Sequence, residues 1–350
     1  MPAAPAPRVF ATLGMFIIDE FASLDDAGTP TARTLAPQGR APRPAPASPA
    51  SHAHLPRRSA AAAPTPLPPA ALGMIVDKGA DFPAHILDSL NAYGEPMWLY
   101  RDHPDRPTTR ALNEYKGDHR GFEYLTPRIR ITPRDLADTP LARPQYLHFI
   151  CSPSRARAIM ADVEQLRPWA PTTIYEPIPD RCVPEELPAL VAVLPPNAEE
   201  ALALLSMPLP ATKPAIEDAA ARLLALGVGP GRSGWVIVRS GALGAYVASR
   251  QRRGEWVDAY WAPADAPAKV VDVTGAGNSF LGGLAAGMAL TGGDVFKSTF
   301  YGAVSASFTI EQQGLPRLHV AADGTTEEWN GDSPRRRLDA LEARHARAHA

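Results

Sequence analysis

Cysteine is nearly missing from this chain: Cys151 and Cys182 are the only two in 350 residues. Two thiols cannot build a disulfide framework, and their spacing is not the Cys-x-x-Cys of a metal site, so both read as reduced cytosolic thiols. Long apolar runs are missing as well. None approaches the roughly 18 residues of a membrane-spanning helix, and the opening Met-Pro-Ala-Ala-Pro-Ala-Pro-Arg lacks the apolar core of a secretory leader. A cytoplasmic protein without a membrane partner is therefore expected. Nor is there an excess of basic charge. A formal net charge of -2 argues against a nucleic-acid surface spread over the protein. No Gly-x-x-x-x-Gly-Lys-Ser/Thr run occurs, so a P-loop kinase is not indicated, and no Ser-His-Asp arrangement is readable.

What is present is the composition of a globular α/β chain, 45% hydrophobic and 21% charged, able to bury one large or two small cores. Residues 9–18 form a continuous apolar run suited to a strand buried on both faces of a parallel sheet, and Asp19 ends it. Residues 71–76, 146–151, 190–194 and 235–238 are further strand candidates. Helical patterns stand between and after them, at 84–92, 154–166, 215–226 and 295–312. This alternation implies a mostly parallel central sheet with helices on both faces. After Asn330, residues 331–350 carry Arg335-Arg336-Arg337 and a short Ala/Arg/Glu-rich helix pattern, and read as a charged, solvated C-terminal tail.

One segment breaks the pattern. Between Thr29 and Ala70 acidic residues vanish, and eleven prolines stand between Pro30 and Pro69. Proline at that density precludes a packed helix or a central strand, so residues 22–70 read as a disordered Pro/Ala/Arg-rich insertion or a translated intron. His52 and His54 fall inside it and make no metal site.

The chemistry is concentrated at residues 271–283, Val-Asp-Val-Thr-Gly-Ala-Gly-Asn-Ser-Phe-Leu-Gly-Gly. A strand end and a glycine-rich turn lead into apolar residues at helical spacing, Phe280, Leu281, Leu284, Ala285 and Met288. Small residues at a helix start leave backbone N–H groups free and aligned with the helix dipole, an arrangement that suits a phosphoryl group in transfer. Gly229 to Gly234 also matches Gly-x-Gly-x-x-Gly. It follows a helix and opens a strand, the reverse of a dinucleotide fingerprint, and reads as a loop.

Four spots in order resemble the ribokinase-like (PfkB) carbohydrate kinases. The stretch Asp272-Val-Thr274-Gly275-Ala276-Gly277-Asn278 is similar to that family's Asp-Thr-x-Gly-Ala-Gly-Asp signature. Gly14-Met-Phe-Ile-Ile-Asp19 is similar to its first-strand end, Asn197-Ala-Glu-Glu200 to its Asn-x-x-Glu motif, and Arg239-Ser240-Gly241-Ala-Leu-Gly244 to its loop near the ATP phosphates and ribose. The run at Gly14 and the stretch Glu176 to Cys182 look closest to the fungal killer-virus-maintenance proteins of this type. The resemblance implies a ribokinase-like fold over residues 1–21 and 71–330, with a small β-lid within 100–130. It implies ATP and Mg²⁺ as cofactors, and a sugar, nucleoside or related hydroxyl compound as the phosphoryl acceptor. A homodimer joined through the lid is implied as well.

Roles follow position by position from the same resemblance. Asp19 would hold acceptor hydroxyls, where it could otherwise simply cap a strand. Gly275, Ala276 and Gly277 would form the anion hole, and Thr274, Asn197, Ser240, Gly241 and Gly244 would touch the nucleotide. Glu200 would reach Mg²⁺ through water, although Asn197 to Glu200 would equally satisfy a helix N-cap. Asn278 stands where the family has its catalytic Asp, and an amide is no base. Two functions stay open: a kinase that tolerates Asn278, and a catalytically impaired pseudokinase that binds nucleotide or protein partners.

Overall fold

A computed structural model describes residues 8–24, 67–116, 119–178, 183, 186–187, 191–262, 266–320 and 327–349. Most of the expected insertion (25–66), Leu190 and Cys182 lie outside the described residues. In chain order the strands are β1 (Phe10–Thr12), β2 (Ile18–Leu24), β3 (Leu72–Gly79), β4 (Trp98–His103), β5 (Arg110–Lys116), β6 (His119–Tyr124), β7 (Tyr146–Cys151), β8 (Thr172–Pro177), β9 (Val193–Leu194), β10 (Trp235–Arg239), β11 (Ala245–Ser249), β12 (Glu255–Val257), β13 (Leu318–Val320) and β14 (Glu327–Trp329). The helices are α1 (Ala84–Asn91), α2 (Pro153–Gln165), α3 (Ala198–Leu204), α4 (Lys213–Leu226), α5 (Ala276–Leu290), α6 (Val295–Thr309) and α7 (Pro334–Ala348).

Nine strands form one sheet in the order β12-β11-β10-β9-β8-β7-β1-β3-β4. It is parallel from β4 to β10 and antiparallel where β11 and β12 extend it. The strands read as unbroken apolar runs because successive side chains enter opposite cores. Met74 and Val76 join Phe10, α1, α5, α6 and α7 on one face, while Ile75 joins Ala11, α2, α3 and α4 on the other. Beside the large sheet lies a small one, β2-β5-β6, whose β5 and β6 lie within the expected lid range 100–130, whereas residues 100–103 belong to β4 of the large sheet. None of the described helices is long and apolar enough to cross a membrane.

The apolar run at 9–18 is not one strand. The chain leaves the large sheet after Thr12 and re-enters extended structure at Ile18, where β2 pairs in parallel with β5. Asp19 therefore sits inside a strand of the small sheet, opposite Ala111, rather than at the end of the first strand. Hydrophobicity alone could not mark the break, since Leu13 and Phe16 are buried in the connection. The expected solvated tail is instead α7, whose Leu338 and Leu341 enter the core. Arg337 on the same helix is 1% exposed, its guanidinium 3.7 Å from the Phe308 ring centroid and bonded to Ser307 Oγ, Glu311 and Asp332.

Strand order changes direction at β1, which has β3 on one side and β7 on the other. In open parallel sheets, ligands bind outside the carboxyl ends of the strands at such a point.

Candidate active site

Glycine sets the entry to α5. Gly275 is its N-cap with φ 89°, a left-handed conformation that a residue with a Cβ adopts only under strain. Ala276 N donates to Val273 O (3.1 Å) and Ser279 N to Gly275 O (2.9 Å). The amides of Gly277 and Asn278 between them have no acceptor among the described residues. Two open N–H groups stand at the positive end of a fifteen-residue helix, an arrangement suited to an anion.

That helix start borders a cleft of about 410 Å³. Asn197, Ser240, Gly241 and Gly244 line it together with Ala276 and Gly277, so residues separated by about eighty positions in sequence meet at one wall. Tyr260, Trp261 and Phe280 give it apolar and aromatic surface. Gly244 (φ 92°) is required by close approach: a Cβ there would stand 2.2 Å from Val257 O. Thr274 and Asn278 belong to the same turn and are half-buried, whereas Asp19 is held away in the small sheet and does not line this cleft.

Asn197 caps α3 reciprocally with Glu200. The Glu200 amide donates to Asn197 Oδ1 (2.8 Å), and the Asn197 amide donates to Glu200 Oε2 (2.8 Å). Burial raises the Glu200 carboxyl above its usual range despite Arg239 nearby.

Beneath this cleft runs a buried polar chain that the sequence did not reveal. The Thr12 hydroxyl meets His148 Nδ1 at 2.9 Å, and His148 Nε2 meets Glu176 Oε1 at 2.9 Å. Glu176 Oε2 accepts from Arg239 Nη2 at 2.7 Å. Strand register builds it. Thr12 pairs directly with His148, and Glu176 lies two residues beyond His148's partner Ile174, hence on the same face. Burial alone would raise the Glu176 carboxyl, but Arg239 and His148 outweigh it and hold it low, so it stays charged. Arg239 Nε donates to Pro195 O (2.8 Å), which fixes the guanidinium on a second side.

On the small-sheet side, Asp81 accepts from the Thr108 amide (2.6 Å) and pairs with Arg110, which reaches Glu20 beside Asp19. Burial would raise the Asp81 carboxyl; the Thr108 and Arg110 bonds overcome it and depress it to about 2.

The model of the pfkB family of carbohydrate kinases matches residues 79–317, more than half of the chain. The chain belongs to that family. Two yeast relatives of this pfkB protein bear out the resemblance to the fungal subgroup. Protein MAK32 of Saccharomyces cerevisiae is 33% identical over 74% of this chain and 75% of its own length. An uncharacterized protein of Schizosaccharomyces pombe is 32% identical over 76% of this chain and 78% of its own. The pfkB fold is also that of Arabidopsis thaliana ribokinase, solved with ribose and ATP. The two superpose with a TM-score of 0.61 at 18% identity, covering 96% of this chain and 99% of the other.

The cleft suits a nucleotide, because an apolar, aromatic wall leads to an anion site. The carboxylates around it do not make a metal cradle. Glu200 caps Asn197 and lies 3.8 Å from Arg239 Nη2, Glu176 is paired with Arg239 and His148, and position 278 is an amide. Among the described residues the one metal-like grouping is Glu255, His345 and His349, none of which lines the cleft.

Proposed function

We propose that this protein is a PfkB-type kinase that binds ATP in the cleft between the Ser240–Gly244 turn and α5 and transfers its terminal phosphoryl group to a hydroxyl of a sugar, nucleoside or related small molecule. The observation that carries the reading is the pair of open amides at the head of α5, where Gly277 lines the same cleft as Asn197 and the Ser240 turn. In this reading the adenosine lies against Tyr260 and Trp261, and the phosphates meet the first turn of α5. Asp19, on the small sheet, holds the acceptor. Transfer of a phosphoryl group depends mostly on alignment and charge stabilisation, so Asn278 orients the hydroxyl and a slow reaction proceeds without a carboxylate base. Any Mg²⁺ arrives bound to the ATP phosphates, with Glu200 the nearest carboxylate of α3.

Asn278 also favours a second reading, a pseudokinase that binds nucleotide without turning it over. ATP consumption across a panel of sugars and nucleosides, with ATP binding followed in parallel, separates the two. Acceptor-dependent turnover by the native chain establishes the kinase. Binding without turnover establishes the pseudokinase, and absence of ATP binding overturns both.

A further inference from the structure

Arg239 is the one residue of this cleft with a full charge and an unused donor. Its side chain is 10% exposed, with Nε committed to Pro195 O and Nη2 to Glu176. Nη1 makes no hydrogen bond among the described residues. Held on two sides, the guanidinium cannot turn Nη1 elsewhere. It points at the first turn of α5: a Cβ added at Gly277 would stand 2.5 Å from it, and Arg239 and Gly277 line the same cleft. An unpaired N–H of a largely buried, permanent cation thus stands beside Gly277 at the head of α5.

Charge around the anion site has the opposite balance from a metal-dependent one. The base position carries no charge, Glu176 is neutralised by Arg239, and Glu200 faces the same guanidinium at 3.8 Å. A divalent ion brought here meets a fixed cation, with the Glu176 and Glu200 carboxylates already committed. A phosphate oxygen at the head of α5 would find the charged Nη1 beside the helix's open amides, and a charged donor makes the stronger kind of hydrogen bond.

We propose that Arg239 takes the place of the divalent metal in holding the phosphate chain of a nucleoside di- or triphosphate, so that this site binds ATP without Mg²⁺. The inference rests on the cleft being a nucleotide site, and it adds that the protein itself supplies the neutralising charge. It also explains why position 277 is glycine: any side chain there would stand between Nη1 and the phosphate.

The test is titration calorimetry of the full chain with ATP and with adenosine, in Mg²⁺ and in EDTA. ATP is expected to bind with dissociation constants differing by less than about threefold between the two conditions, and more tightly than adenosine by at least about tenfold. Arg239→Lys keeps the charge but cannot reach Pro195, Glu176 and the phosphate together. In that variant ATP binding in EDTA should weaken by about tenfold and recover in Mg²⁺. Should Arg239→Lys fail to fold, Gly277→Ala displaces Nη1 while leaving the pair with Glu176 intact, and should create the same metal dependence. A native chain that needs Mg²⁺ for ATP overturns this inference and leaves the nucleotide site standing. Absence of ATP binding in both conditions overturns the two together.

Discussion

Arg239 Nη2 lies 2.7 Å from Glu176 Oε2, and this pair ties the last residue of β10 to the carboxyl end of β8 beside the glycine-rich turn at the head of α5. Removing one partner of such a pair leaves an uncompensated charge in the core. Arg239→Met should therefore cost about 3–5 kcal/mol in urea denaturation. The double variant Arg239→Met, Glu176→Gln should recover most of that loss, because the amide still accepts from His148 and carries no charge. Equal instability of single and double variants would show that the arginine acts through packing alone.

Asn278→Asp restores a carboxylate at the head of α5. Phosphoryl transfer to a working acceptor should rise on the order of a hundredfold. The new charge also sits beside the open amides, so ATP affinity in EDTA should fall while affinity in Mg²⁺ holds. A rise in turnover without that divergence would separate the base from the electrostatics of the site.

Burial pushes the Glu327 carboxyl on β14 up to about 7, against a weaker opposing hydrogen bond from Trp329. The folded chain holds this proton more tightly than the unfolded chain does. Its contribution is complete at pH values below the ordinary carboxylate pKa and is lost as pH rises through about 7. Stability should thus decline by on the order of 3 kcal/mol between pH 5 and 8 from this group. Glu327→Gln should flatten that part of the profile in melts recorded across the range.

Arg337 predicts that the C-terminal helix belongs to the fold. Its guanidinium is buried against Phe308 and bonded to Glu311 and Asp332, so Arg337→Met should cost about 3 kcal/mol or more by leaving those carboxylates unpaired. Because Glu311 also accepts from Trp261 Nε1 (2.7 Å) at the cleft, ATP affinity should fall as well. Calorimetry and melting of the same sample check both.

Much of this was legible in local pattern. The run at 146–151 is β7 residue for residue, and the helices expected at 154–166 and 215–226 begin and end within two residues of α2 and α4. The glycine-rich turn before α5 announced its left-handed conformation, since glycine adopts it without strain. Glu176 and Arg239 were not legible as a pair. Each looks like a polar residue closing an apolar strand, and only the sheet order, with short β9 between β8 and β10, brings the two together. The tail was misread for a related reason: Arg335-Arg336-Arg337 looks solvated in sequence, yet Asp332, Glu311 and Phe308 give the last of these a buried site.

By itself the sequence determined what is local: the apolar strands, the helix faces, the left-handed glycine at the head of α5 and the amide at 278. These follow from backbone sterics and side-chain periodicity within a few residues. The tertiary structure decided which charges meet. Thr12 and His148 stand 136 positions apart, and Glu176 and Arg239 stand 63 apart. They form one chain because parallel register and sheet order set these polar groups side by side where water is excluded.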